Sequence, residues 1–221
     1  MSDTPDTPHV HGGQVIRHAG APLDDARLAM ILVHGRGSTA DGILGLSVEL
    51  ASDGVAFLAP EATGRSWYPF TFLAPLAHNE PGLSSALRLL DELVADLGAR
   101  GIPPARIVIG GFSQGACLAL EFAARHPRRY AAIVAFSGGL IGPPGTPRDY
   151  SGTLDGTPVF IGCSDIDTHV PVERVRESAE VFRRMGAVVD ERIYPGMGHT
   201  INQDELQAIS ALLAPAPGTT A

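Results

Sequence analysis

Residues 108–127 read VIGGFSQGACLALEFAARHP, and the join inside this stretch decides the fold. The β-branched run that ends at Ile109 has the character of a buried strand. From Gln114 onward the residues are apolar nearly all round, as in a helix buried against a sheet. Between the two, Gly111, Phe112, Ser113, Gln114 and Gly115 set one hydroxyl between glycines. A nucleophile on a strand-to-helix elbow needs such neighbours, because strand and helix must approach closely while the serine Oγ stays exposed. The N-terminus of the following helix also turns partial positive charge toward any anion that forms beside Ser113.

The same alternation extends outward in both directions. Apolar runs at residues 28–34, 55–59, 106–110, 130–136 and 157–163 are expected strands, with a further strand at 188–194 and a short edge strand at 14–18. Helical spacing marks 38–52, 83–99, 171–184 and 203–213, most clearly where Leu83, Leu87, Leu90, Val94 and Leu97 recur at three- and four-residue steps. Strands without strict polar alternation, separated by helices, predict an α/β chain: a mainly parallel sheet of about seven strands covered on both faces. One domain is expected over residues 13–213, with disordered tails at 1–12 and 214–221. Residues 60–81 and 138–157 are too long for plain connections. The first holds Trp67, Tyr68, Phe70 and Phe72, and is expected to cover a pocket.

Composition narrows the function. The 221 residues carry 16 Lys and Arg against 24 Asp and Glu, a formal charge of −8 without a basic run. Nucleic-acid binding therefore has no electrostatic footprint. The N-terminus lacks the basic start and apolar core of a secretory signal, and no apolar run is long enough to span a bilayer. A cytoplasmic location is expected. Cys117 and Cys163 are expected as buried thiols rather than a disulfide. No histidine pair has zinc-protease spacing, so neither metal nor organic cofactor is expected.

A serine hydroxyl needs a positioned base, and the base an orienting carboxylate. On a sheet of this kind the chain order is serine, acid, histidine. His126, His169 and His199 follow Ser113; His126 starts a polar turn, whereas His199 lies between the last strand and the last helix, at the sheet's carboxyl edge. His199 is the best-placed base. The acid belongs in the loop SDIDTHVP after the 157–163 strand, where Asp165 and Asp167 both have the reach. An oxyanion would take the backbone N–H of Gln114 and a second donor from HGRG after the first long strand, the N–H of Arg36. The Arg36 side chain has two readings, a pair with a nearby acid such as Asp41 or a partner for an anionic substrate group.

Taken together and in order, HGRGS, GFSQG, SDIDTHVP and GMGH resemble the phospholipase/carboxylesterase family of α/β-hydrolases, over roughly residues 29–213. The resemblance implies Ser113 as nucleophile, Asp167 as acid, His199 as base, and the Arg36 and Gln114 N–H groups as the oxyanion hole. It implies an aromatic pocket wall around Trp67 and Tyr68, and a small-molecule ester as partner; a homodimer is left open. Thioesterase members of the family carry an apolar residue in place of Arg36, so an acyl-chain tunnel is not implied. The expectation is a serine esterase acting on small to medium carboxylic esters. A thioesterase or lysophospholipase of the same family, and a non-catalytic binding protein on the same fold, are the alternatives.

Overall fold

The computed structural model describes residues 8–50 and 53–215. The ends of both expected tails, residues 1–7 and 216–221, lie outside the described residues, as do positions 51 and 52 in the expected 38–52 helix.

Within the described residues the strands are β1 (Ile16–Gly20), β2 (Leu28–Val33), β3 (Val55–Pro60), β4 (Ile107–Phe112), β5 (Ala132–Phe136), β6 (Pro158–Ser164) and β7 (Val188–Tyr194). They form one seven-stranded sheet in the order β1-β3-β2-β4-β5-β6-β7, with β1 antiparallel and the other pairings parallel. The helices are α1 (Ala40–Leu44), α2 (Leu46–Glu49), α3 (Gly82–Ala99), α4 (Gln114–Arg125), α5 (Val172–Arg184) and α6 (Gln203–Leu213). The helix expected over 38–52 is thus two short pieces meeting at Gly45, with the Thr39 side chain accepting from the Gly42 N–H at its start.

Alternate residues of each strand feed different cores. Ile31, Val33, Ile107, Ile109 and Ile133 face one apolar cluster with α3, α4 and α5. Met30, Leu32, Val108 and Val134 face another, with α1 and α6. Burial on both faces explains why the inner strands β2 to β6 are almost continuously apolar, whereas the edge strands β1 and β7 carry charged residues.

The strand order reverses between β2 and β4. The chain runs from β2 to β3 on one side, then crosses to β4 on the other. Loops leaving the carboxyl ends of two such strands diverge and open a crevice, the usual ligand site of open α/β sheets. The Arg36 loop and Ser113 are the two loops that diverge here.

Candidate active site

Ser113 lies between the end of β4 and the start of α4, at φ 57° and ψ −118°. Positive φ in a residue with a side chain is strained and is kept only where the surroundings dictate it. Two glycines show what dictates it here. A Cβ on Gly115 would stand 2.0 Å from the Val33 carbonyl oxygen, and one on Gly111 would stand 2.6 Å from both that oxygen and the Gly115 carbonyl carbon. The elbow is folded so tightly against β2 that only bare Cα atoms fit. The Ser113 N–H is held by the Phe136 carbonyl at 2.9 Å, and its own carbonyl accepts the Cys117 N–H at 3.0 Å.

His199 Nε2 is 2.8 Å from Ser113 Oγ, and His199 Nδ1 is 2.6 Å from Asp167 Oδ2. The structure thus joins three of the residues expected from sequence. The carboxylate side chain is fully buried and the imidazole is 18% exposed. Asp167 Oδ1 accepts the N–H groups of His169 and Val170 at 2.8 and 3.0 Å. Burial pushes the Asp167 carboxyl up, but the hydrogen bonds from His199 and these two amides outweigh it and hold the group below the usual carboxylate range. Asp165 has separate work: its Oδ1 accepts the Gly196 N–H at 2.8 Å and so ties down the loop that carries His199. The Phe112 and His169 rings flank the His199 ring at 4.9 and 4.7 Å.

A cleft of about 400 Å³ opens over Ser113, with Arg36, Tyr68, Phe72, Cys117 and His169 in its walls. The Arg36 N–H makes no hydrogen bond among the described residues. Gln114 is the first residue of α4, where a helical N–H has no partner in the preceding turn. Both amides are therefore free for a ligand oxygen. No group of three or more His, Cys, Asp or Glu suited to a metal occurs among the described residues, and no helix there is long and apolar enough to cross a membrane.

Three expectations need correction. Trp67 is fully buried and lies outside the cleft wall, with Nε1 donating to the His34 carbonyl at 2.8 Å. It anchors the 60–81 segment from below, and Tyr68, Thr71 and Phe72 face the cleft instead. Asp41 pairs with Arg17 at 3.4 Å, not with Arg36. The Arg36 guanidinium donates to Ser66 Oγ and the Pro69 carbonyl, each at 2.9 Å, and to the Phe70 carbonyl. Finally, His9 and His11, expected in a mobile tail, are packed against the domain. His9 reaches Ser85 and Glu92, and His11 is 1% exposed.

Two histidines, His11 and His34, hold the 60–81 segment through backbone contacts. His11 Nδ1 accepts the Thr63 N–H at 3.1 Å, while its Nε2 donates to the Trp67 carbonyl at 2.9 Å. His34 Nε2 accepts the Ala62 N–H at 3.0 Å, and its Nδ1 donates to the Gly35 carbonyl at 2.8 Å. Each imidazole donates once and accepts once, the pattern of the neutral ring. Burial lowers the pKa of both. A histidine at the end of β2, directly before HGRG's first glycine, was the only sequence signal for His34.

The chain matches the family model described as Phospholipase/Carboxylesterase over residues 17–215. The crystal structure of a phospholipase/carboxylesterase from Dyadobacter fermentans is 44% identical and superposes with a TM-score of 0.88, covering 94% of this chain and 99% of that one. The crystal structure of esterase PE8 is 30% identical, with a TM-score of 0.75 over 89% and 96% of the two chains. Acyl-protein thioesterase 1 of Saccharomyces cerevisiae is 28% identical over 87% of this chain and 94% of its own length. Matched by that family model over most of its length and superposing closely on the Dyadobacter structure, the chain belongs to the phospholipase/carboxylesterase family of α/β-hydrolases.

Proposed function

We propose that the protein hydrolyses small to medium carboxylic esters through an acyl-enzyme on Ser113. The observation that carries this reading is the unbroken line from Asp167 through His199 to Ser113, at 2.6 and 2.8 Å, with Ser113 and His199 on the wall of the cleft. His199 Nε2 takes the Ser113 proton as Oγ bonds to the substrate carbonyl carbon. Asp167, kept ionised by its hydrogen bonds, stabilises the imidazolium that results. The carbonyl oxygen becomes an oxyanion between the Arg36 and Gln114 N–H groups. His199 then gives its proton to the leaving alkoxide as the carbon–oxygen bond breaks. Water, deprotonated by His199, attacks the acyl-enzyme carbonyl carbon, and His199 returns that proton to Ser113 Oγ as the acyl carbon–Oγ bond breaks, releasing the acid and free Ser113. Each step balances with ester and water alone.

A fluorophosphonate probe tests the nucleophile. It should label one site, located at Ser113 by peptide mass spectrometry, and Ser113→Ala should lower kcat on p-nitrophenyl acetate by about 10⁴-fold or more. Labelling at another serine, or an active Ser113→Ala protein, would overturn the reading.

A thioester reading has its own support in the yeast thioesterase relative. The same relay serves both leaving groups. Activity on p-nitrophenyl acetate and a matched acetyl thioester, compared by kcat/KM, separates them, and a preference of tenfold or more for the thioester would replace the ester reading.

A further inference from the structure

The two residues whose N–H groups would meet the oxyanion have side chains that grip one segment. Arg36 closes on the outside of it, through Ser66 Oγ, the Pro69 carbonyl and the Phe70 carbonyl. Gln114 closes on the inside. Its Oε1 accepts the Trp67 N–H at 3.0 Å, and its Nε2 donates to the Tyr68 carbonyl at 2.9 Å and to Ser66 Oγ at 3.4 Å. Ser66 in turn donates to the Tyr68 carbonyl at 2.9 Å, and the Arg36 guanidinium lies 5.9 Å from the centre of the Tyr68 ring.

An exposed arginine ordinarily seeks a carboxylate, because charge-assisted pairs are the stronger ones. Here the Arg36 guanidinium donates to two backbone carbonyls and a hydroxyl of a neighbouring loop. That arrangement is a clamp rather than an ion pair. The Arg36 peptide lies between Gly35 and Gly37, the latter at φ 76°, so the local backbone does little to fix the plane of its N–H. A backbone tie from the Gly37 N–H to the Arg65 carbonyl, 2.7 Å, joins the same two loops a second time. Gln114 is 6% exposed, and its amide fills a backbone donor and acceptor of the segment as a neighbouring strand would.

We propose that the Arg36 and Gln114 side chains are positioning residues that hold the two oxyanion N–H groups in register by clamping the Ser66–Phe70 segment between them. The inference rests on the serine mechanism proposed above. Oxyanion donors work only within about half an ångström of the productive position, and the glycine-flanked Arg36 loop does not supply that tolerance alone. The segment therefore couples the Arg36 donor to the tightly packed elbow that holds the Gln114 N–H: releasing it from either side chain loosens the Arg36 donor.

The test compares chemistry with ground-state binding. Gln114→Met keeps length and backbone but breaks both inner bonds, and Arg36→Ala breaks the clamp outside. Each should lower kcat on p-nitrophenyl acetate by about 10- to 100-fold, less than the 10²–10³ of a lost donor, while KM stays within about threefold. The affinity of a trifluoromethyl ketone, whose adduct carries the oxyanion, should weaken in proportion to kcat/KM. The double variant should fall short of the product of the two single effects, because both act through one segment. Arg36→Lys, which can still reach one carbonyl, should recover part of the loss. Ser66→Ala removes only a shared hydroxyl and keeps the test open if the larger changes fail to fold; it should lose about two- to fivefold in kcat with the same ketone proportionality. Variants with kcat and ketone affinity within twofold of wild type, beside an inactive Ser113→Ala, would refute the clamp and leave the serine mechanism standing. An active Ser113→Ala would instead remove the mechanism on which the clamp rests.

Discussion

Glu205 lies in the first turn of α6, three residues after its N-cap Asn202, and its side chain is out of contact with water. One carboxylate oxygen accepts the Asn202 N–H at 2.9 Å, completing a reciprocal cap with the Asn202 side chain. The other, Oε1, has no hydrogen-bond partner among the described residues and rests where a Cβ on Gly162 would come within 2.1 Å. Burial against β6 pushes the carboxyl up to about 7 from 4.5, against the pull of the Asn202 N–H. Between those two pH values the folded protein holds a proton that the unfolded chain has released, so stability falls as pH rises through the window. Above pH 7 the penalty is complete, and a shift from 4.5 to about 7 corresponds to roughly 3 kcal/mol. Glu205→Gln keeps the acceptor for the Asn202 N–H and cannot ionise. It should match wild type near pH 4.5 and exceed it at pH 8 by roughly 2–3 kcal/mol. For a chain of this size that is a rise in Tm of about 4–12 °C at the higher pH. The assay is thermal or urea denaturation of both proteins across pH 4.5–8, read as the difference between them. Other titrating groups then cancel, including the buried histidines, whose slope has the opposite sign. A constant difference across the range would refute the argument, since it would mean that Glu205 ionises alike in folded and unfolded chains.

Further outcomes follow from other contacts. In Asp167→Asn the new amide would face His199 Nδ1 and turn the imidazole to the tautomer that cannot accept the Ser113 proton, lowering kcat by about 10⁴-fold; Asp165→Asn keeps an acceptor for the Gly196 N–H and should retain most activity in the same assay. Gly115→Ala would drive a Cβ into the Val33 carbonyl and should cost more than the roughly 1–3 kcal/mol of ordinary overpacking, seen as a large fall in Tm or in soluble yield; an unchanged Tm would show that the elbow is looser than described. His11 and His34 are held neutral, their pKa values lowered by burial from 6.5. Stability should therefore fall as pH drops below that value, where the unfolded chain takes up protons that the fold resists. His11→Gln should flatten this acid slope in pH-dependent denaturation, and an unaltered slope would show that His11 protonates freely in the fold.

The legible parts of the sequence were those governed by local chemistry. The inner strands β2 to β6 show as apolar runs because both of their faces are buried. The α3 helix shows because Leu83, Leu87, Leu90, Val94 and Leu97 share one side, all of it buried in the structure. The elbow shows because a bare Cα is needed twice within five residues. Spacing left Asp165 and Asp167 undivided; only the wider pattern of motifs favoured Asp167, and in the structure the two differ by which loop each addresses. The side-chain anchors were hidden for a related reason. His11, His34 and Gln114 each bond to backbone groups between 28 and 56 positions away, and backbone groups leave no mark in the sequence. Trp67 looked like a pocket residue because aromatic content is visible and direction is not. The segment's two ends face opposite ways, with Trp67 turned into the core and Phe70 56% exposed.

Val33 of β2 stands opposite Gly111 of β4 in the parallel ladder, and the loops that leave these two strands carry Arg36 and Ser113. Neighbouring strands lie about 4.8 Å apart wherever a sheet is paired. On the proposed mechanism, the distance between the attacking oxygen and the first oxyanion donor thus begins as a lattice constant of the sheet, and loops set only the remainder. Within the 60–81 segment, Thr71 and Phe72 stand outside that ladder and beyond the contacts with Arg36 and Gln114, and can change without moving either strand end. Selection on substrate range can therefore act on that segment with the bond-breaking geometry left intact, provided the positions that meet the Arg36 and Gln114 side chains keep their backbone path. In a directed-evolution library, variation at Thr71 and Phe72, which face the cleft beyond those anchor points, should shift the ester preferred while leaving the rate on the smallest ester nearly constant.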